Sequence, residues 1–567
     1  MEYYSSSILL IIEQPSIYPL YKERILSEIE RIVGAPGTGK TRYLMTILER
    51  LKAQGVDAEQ VGLFSFSKAA NRESVSRAAA LYSCEPEELS RDGFFRTVHS
   101  AAYKLGDVSE GEILSDNKES VEWISNQLGS DVQTRLSETE GSTVYVGGDE
   151  GVALNLWGLC RSTLTPVEKM FNSKATVGGA ALSRVQRIID RYETCKRVDG
   201  RLDFEDLLLR FAGVAMTARG DVTNEKPLGE VPDLTHILFD EHQDASALIQ
   251  KCCDRFVNGL HTEKATFVGD PMQSIFGFAG SSSDFLMNME VDSEHIMPRS
   301  YRCCREVMEF SENIIREMKR GYFDRKVKPA EHSGSVYSHL SNEMAFADVN
   351  PEDDTLVIAR TAYRVKEAAA VLADLGIPFK RVESPEGPTV SQTACTVLHD
   401  LRRGEAVDGI DFARAVQKMP INSPEGKLLE RGVKAKWKRT DTPEQIDVVF
   451  REDLLDLGFT EHAVETITSG NWPRLIEGGS KWINSVKKHG VELTNYPKVK
   501  IGTIHKTKGQ EANSVFFCTA TSSIVSAAKY ESDRQHDEEK RIAYVAATRA
   551  RHNLHVVEQP NQFSMLE

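Results

Sequence analysis

The octapeptide Gly34-Ala35-Pro36-Gly37-Thr38-Gly39-Lys40-Thr41 constrains this chain more than any other segment. It fits the pattern G-x-x-x-x-G-K-[ST] without a mismatch, and it lies between an apolar Ile32-Val33 and a helix-forming Tyr43-Leu44-Met45-Thr46-Ile47-Leu48. Glycines at these spacings let successive backbone N–H groups turn inward around phosphates. The lysine neutralises β/γ charge, and the hydroxyl of Thr41 can ligate Mg²⁺ at a helix N-terminus. The segment therefore predicts a strand, a phosphate loop and a helix, and with them an α/β fold.

The rest of the chain supplies strands for such a fold. Short β-branched or apolar runs occur at Val61–Phe64, His236–Phe239, Ala265–Val268, Thr355–Ile358 and Ser514–Phe517, each followed by a polar or glycine-rich turn. Continuous rather than alternating hydrophobicity is the mark of parallel strands buried on both faces, whose ligands sit at the carboxyl ends. At 567 residues the chain is too long for a single core and suggests about four units. Two polar, helical stretches interrupt the strand pattern. One runs from about Asp107 to Arg201, with Leu182, Val185, Ile188, Ile189 and Tyr192 at helical spacing. The other runs from about Glu383 to Lys498 and is punctuated by Ser423-Pro424-Glu425-Gly426 and Asn471-Trp472-Pro473.

A net charge of −15 excludes a uniformly basic nucleic-acid coat but leaves room for a local basic track. Nine cysteines without a C-x-x-C spacing argue against a disulfide framework or zinc ribbon and for a reducing, cytoplasmic compartment. The apolar run Ile8–Ile12 is too short to span a bilayer, so neither a signal peptide nor a membrane partner is expected.

Asp240-Glu241-His242-Gln243-Asp244 follows the strand Ile237-Leu238-Phe239 and places two adjacent carboxylates at a strand end. Beside a phosphate loop, Asp240 can hold Mg²⁺ while Glu241 polarises an attacking water. Hydrolysis also needs cations at the γ-phosphate. Arg302 (in Ser300-Tyr301-Arg302) and Arg549 (in Ala547-Thr548-Arg549-Ala550) are candidates, although each taken singly reads as a surface arginine.

The phosphate loop, Asp240-Glu241-x-Gln243-Asp244, the segment Val268–Gly277, Tyr301-Arg302, the segment Thr503–Glu511 and the segment Arg541–Ala550 together resemble the ordered motifs of UvrD/Rep/PcrA-type superfamily 1 DNA helicases. The resemblance runs from about Arg31 to Leu554. It implies two RecA-like P-loop NTPase domains with parallel sheets, each carrying a mostly helical insertion. The corresponding divisions are 1–106 and 202–295 for domain 1A, 107–201 for 1B, 296–382 and 499–567 for 2A, and 383–498 for 2B. Carried over residue by residue, it makes Lys40, Glu241, Gln273, Arg302 and Arg549 catalytic, with Gln273 sensing the γ-phosphate and the two arginines acting as fingers. ATP would lie on Gly34–Thr41 and Arg42, its adenine stacked on Tyr301 and its ribose near Glu511, with Mg²⁺ on Thr41 and Asp240. Single-stranded DNA and single–double-strand junctions are the implied partners, and 3′→5′ movement the implied polarity.

For the DNA track, Phe64-Ser65-Phe66-Ser67-Lys68 and Thr97-Val98-His99-Ser100 resemble two further motifs of the family. Phe66, Thr97, His99, Phe276, Phe278, Thr503 and His505 are the candidate contacts, Phe66, Phe276 and Phe278 as stacking faces. Phe64 reads as core. Asp203-Phe204-Glu205-Asp206-Leu207-Leu208 reads as mainly structural. Arg431, Lys434, Lys436, Trp437, Lys438 and Arg439 read as a solvated helix face, with duplex contact as the alternative. The chain departs from the family at Ala279, where an arginine is usual, in the absence of a Gly-Ile-Gly hairpin from the second insertion, and upstream of the loop, where Gln14 is the nearest glutamine to an adenine-reading position. Only 18 residues follow Arg549, which leaves no room for a nuclease domain. An ATP-driven factor that displaces DNA-bound proteins and unwinds duplex weakly is the alternative to a helicase.

Overall fold

The computed structural model describes residues 27–566 apart from 67, 92, 107, 137–142, 174–178, 218, 220, 385–386 and 439–447. The run Ile8–Ile12, Gln14, Ser67, Asp107 and Arg439 lie outside the described residues. Two six-stranded parallel sheets organise the molecule. The first is built from β1 (Glu28–Val33), β2 (Val61–Ser65), β3 (Phe94–Thr97), β4 (His236–Phe239), β5 (Lys264–Gly269) and β6 (Ser293–Ile296), in the order β6-β1-β5-β4-β2-β3. The second is built from β7 (Ser335–His339), β8 (Thr355–Ala359), β9 (Phe379–Arg381), β10 (Val499–Thr503), β11 (Ala512–Cys518) and β12 (Ala550–Val557), in the order β7-β12-β11-β8-β10-β9.

The five apolar runs read as strands, from Val61–Phe64 to Ser514–Phe517, each lie in a strand of one of these sheets. The reason is burial on both faces: β2 and β8 are buried at every residue, so no alternation of polar side chains is required. Register then aligns the strand ends. Val33 pairs with Gly269, and Phe239 pairs with both Phe64 and Phe267, so the loops leaving β1, β2, β4 and β5 emerge side by side.

Between β3 and β4 the chain forms a helical body with its own core, in which Trp157, Cys160, Met170, Val185, Ile188, Ile189 and Tyr192 are buried. Leu182 to Asp199 is one helix, as the spacing predicts. Between β9 and β10 a second helical body packs around Phe412, Leu428, Trp472 and Trp482. Its Ser423–Gly426 turn closes a two-stranded hairpin between Asn422–Ser423 and Gly426–Lys427. Trp437 packs edge-on against Phe412 at 5.0 Å, so this aromatic serves the core and does not offer a face to a base. No helix among the described residues is long and apolar enough to cross a membrane.

The Asp203–Leu208 segment caps and anchors. Asp203 accepts the Asp206 N–H at the start of helix Phe204–Ala212, and it also accepts from Arg161 at 2.8 Å, Lys196 at 2.9 Å and Tyr192 at 3.1 Å. Lys196 reaches Asp206 as well, at 2.6 Å, and both cations are almost fully buried. Removing one partner of such a cluster strands the opposite charges in low dielectric. Lys196→Met is therefore expected to destabilise the body it anchors by roughly 3–5 kcal/mol, read as an earlier first transition in urea. An unchanged denaturation profile would show the cluster to be dispensable.

Candidate nucleotide and nucleic-acid site

The phosphate loop connects β1 to helix Lys40–Ala53. Gly37 and Gly39 have φ of +72° and +85°, a left-handed conformation that side chains disfavour. Space is as tight as the backbone is strained: a Cβ on Gly37 would lie 2.2 Å from Cβ of Arg302. The loop is thus wrapped by the segment that leaves β6. Tyr301 N–H donates to the Gly37 carbonyl at 2.8 Å, and the Ser300 hydroxyl donates to that of Pro36 at 2.7 Å. Inside the loop the Thr38 hydroxyl donates to the Ala35 carbonyl, and the buried Lys40 ammonium donates to that of Gly34 at 2.9 Å. Arg42, two residues past Lys40, is exposed. The Tyr301 ring is 72% exposed beside the loop, which leaves its face open for stacking.

At the end of β4, Asp240 Oδ2 lies 3.4 Å from the Thr41 hydroxyl. Two oxygens bound cis on an octahedral Mg²⁺ at about 2.1 Å stand about 3 Å apart, so this hydroxyl–carboxylate pair fits a hard divalent cation. Burial and the adjacent Glu241 push Asp240 up to about 7, the signature of a carboxylate lacking enough positive charge. Glu241 behaves oppositely. Burial alone would raise it, but Lys40 and Lys508, with a hydrogen bond from Gln243, hold it below the usual range. Glu241 also sits at φ +56°, a strained conformation for a non-glycine residue. The neighbouring carboxylates are thereby separated in behaviour, and Glu241 is the one held ionised.

The second sheet contributes the other wall. Arg549, 1% exposed, follows helix Asp533–Ala547 and enters β12. Its guanidinium donates to Gln273 Oε1 at 2.9 Å, to the Gln510 carbonyl at 3.0 Å and to that of Val545 at 2.9 Å. Burial and Arg302 lower it to about 10, still a cation at neutral pH. Gln273 in turn donates to Asp270, which Arg325 pairs. Arg302 and Arg551 both donate to Glu511, which holds Arg302 on the loop side of the cleft. The residues suggested for nucleotide chemistry, scattered from Gly34 to Arg549, thus converge on the carboxyl ends of β1, β4 and β5.

The candidate DNA contacts form two groups. Thr97 pairs in register with Ser65, so Phe66 and Thr97 leave neighbouring strands. Phe66 is half-buried against His242 at 5.5 Å, Thr97 caps the helix Val98–Leu105, and His99 is exposed on that helix. Phe276, Phe278 and His505 form the second group, with ring centroids 5.7–6.1 Å apart. Thr503 ends β10 close by in sequence, its buried hydroxyl without a hydrogen-bond partner among the described residues. Phe64 is core, stacked on Phe239 and tilted against Phe256.

Sequence reasoning assigned no role to Lys508, Asp244 or Arg325. Lys508 bridges the two sheets: it donates to Asp244 at 2.8 Å and to the Gln273 carbonyl at 2.7 Å, and it lies 4.8 Å over the Phe276 ring. It therefore touches both the nucleotide wall and the aromatic group. Lys508 stands within a recognisable motif, whereas Arg325 is an isolated arginine in a polar stretch that no local pattern distinguishes.

Comparison with known proteins agrees with this geometry. Residues 24–294 match the UvrD/REP helicase N-terminal domain, and residues 483–559 match the UvrD-like helicase C-terminal domain. The chain is 22% identical to the putative ATP-dependent DNA helicase YjcD of Bacillus subtilis, over 93% of this chain and 76% of that protein. It is 24% identical to the ATP-dependent DNA helicase UvrD2 of Mycobacterium tuberculosis, over 92% and 75%. With the ATP-dependent DNA helicase srs2 of Schizosaccharomyces pombe it shares 25% identity over 62% of this chain, and it spans only 42% of that protein's length. With two parallel α/β sheets, a phosphate loop answered by an arginine from the second sheet, and matching models at both ends, the chain belongs to the UvrD/Rep helicase family.

Proposed function

We propose that this chain is an ATP-dependent DNA helicase that moves 3′→5′ along single-stranded DNA and hydrolyses Mg-ATP in the cleft between its two sheets. The observation that carries this reading is the Arg549–Gln273 contact, which joins the second sheet to the nucleotide wall of the first across 276 residues of sequence. In this scheme the sheets and their inserted helical bodies correspond to domains 1A, 1B, 2A and 2B with the boundaries expected above. Lys40 and the loop N–H groups bind the β/γ-phosphates, Tyr301 stacks on the adenine, and Glu511 orients Arg302 as well as facing the ribose. Thr41 and Asp240 would hold Mg²⁺, which supplies charge neutralisation at the phosphate oxygens. Glu241 takes the proton of the attacking water, Gln273 senses the γ-phosphate, and Arg302 and Arg549 stabilise charge on the transferring phosphoryl group.

Phe66, Thr97, His99, Phe276, Phe278, Thr503 and His505 line the path proposed for the single strand. Because Lys508 contacts Phe276, Asp244 and the Gln273 backbone, nucleotide state and the aromatic group are mechanically linked. Phe278→Ala is expected to weaken single-strand binding by roughly 1–3 kcal/mol, the usual worth of one stacked base, in a fluorescence anisotropy titration without nucleotide. Wild-type affinity would place Phe278 off the path.

A second reading, displacement of DNA-bound proteins with weak unwinding, is favoured by Ala279 and by the lack of a Gly-Ile-Gly hairpin in the second inserted body. Forked duplexes with a 3′ or 5′ tail, run beside a streptavidin-displacement assay, separate the two. Unwinding of 3′-tailed substrates supports the helicase reading, and displacement without unwinding supports the alternative. Unwinding confined to 5′ tails would refute the polarity.

A further inference from the structure

A cluster of metal-ligating side chains lies at the outer edge of the second sheet, among residues the nucleotide and DNA readings do not use. His339 ends the edge strand β7, His555 faces it from the neighbouring strand β12, and Asp348 stands two residues beyond the short helix Asn342–Phe346 that follows β7. His339 Nε2 and His555 Nδ1 are 3.0 Å apart, and one donor atom from each of His339, His555 and Asp348 falls within 4.8 Å of the others.

We propose that His339, His555 and Asp348 form a zinc-binding site that clamps the edge strand of the second sheet to its neighbour. Two imidazole nitrogens on a tetrahedral zinc at about 2.0–2.1 Å stand about 3.3 Å apart, so the two rings need to open by only about 0.3 Å. The His555 ring is placed by packing, stacked on Phe516 at 4.1 Å and on Tyr337 at 4.8 Å, which costs the site little reorganisation. Asp348 is 58% exposed, which opens the fourth position to water on the solvent side. Two imidazoles and one carboxylate suit zinc better than the hard, oxygen-seeking magnesium of the nucleotide site.

The test is titration of the metal-stripped full chain with CoCl₂, followed by competition with ZnCl₂. The expected result is one cobalt per chain with the visible bands of four-coordinate cobalt, erased by zinc. His339→Ala and His555→Ala are each expected to lose affinity by more than the roughly 10–100-fold that removal of an outer-shell partner costs, and Asp348→Asn by at least about tenfold. DNA-stimulated ATPase of the variants, which leave the nucleotide wall untouched, reports that they are folded. Absence of cobalt binding by the wild-type chain, uptake retained by either histidine variant (metal held elsewhere, the cysteines included), or wild-type affinity in Asp348→Asn would each overturn the proposal.

Discussion

Replacement of Arg549 by alanine is expected to lower DNA-stimulated ATP turnover by about 10³-fold, the effect of removing an arginine finger, while nucleotide-free affinity for single-stranded DNA stays near wild type. The guanidinium is buried, remains charged with its pKa lowered only to about 10, and touches the first sheet through Gln273. Its other hydrogen bonds, to the carbonyls of Val545 and Gln510, fix its direction within the second sheet. It can therefore stabilise charge at the phosphate loop only when the two sheets stand against each other, an arrangement that DNA bound across both is expected to favour. Steady-state ATPase measured against DNA concentration separates the roles. A variant that keeps its maximal rate but needs far more DNA would assign Arg549 to the DNA path. Arg549→Lys restores charge without the forked geometry and should recover only part of the rate.

Glu241→Gln is expected to cut hydrolysis by about 100-fold or more, on the scale of losing a general base, while Mg-ATP binding is nearly preserved. The substitution keeps the shape of the side chain and removes only its ability to take a proton. The prediction depends on Glu241 being ionised, which Lys40 and Lys508 secure against the effect of burial. Single-turnover hydrolysis together with equilibrium binding of a fluorescent nucleotide checks it. An equal loss of affinity would make Glu241 a structural or metal-holding residue and leave the proton acceptor unidentified.

These two residues also mark how far the sequence could be read. The place of Glu241 beside the phosphate loop was legible because its signal is local: a carboxylate pair directly follows an apolar strand. The strands were legible for a similar reason, since two-sided burial imposes continuous hydrophobicity over four or five residues. Arg549 was not legible from its own surroundings. Its burial comes from packing between strands distant in sequence, and an arginine at the end of a helix looks like a surface residue until the ordered motifs are taken together. Trp437 shows the reverse case. Basic neighbours suggest a nucleic-acid surface, but the ring is half-buried against Phe412, a contact that only the fold of the second inserted body creates. Lys508 and Arg325 escaped because their partners, Asp244 and Asp270, lie on other elements 264 and 55 residues away. His339 and His555, 216 residues apart, carry no ligand spacing at all and become neighbours only through the pairing of β7 with β12.

The central claim, that hydrolysis in the cleft drives directed motion on a single strand, is tested most directly by stopped-flow arrival kinetics. The chain is preloaded on oligonucleotides of increasing length that carry a fluorophore at the 5′ end, and ATP is added with a trap that prevents rebinding. Directed 3′→5′ motion gives a peak whose time rises linearly with length, and simple decay when the label is moved to the 3′ end. An arrival time that does not change with length at either end would contradict it.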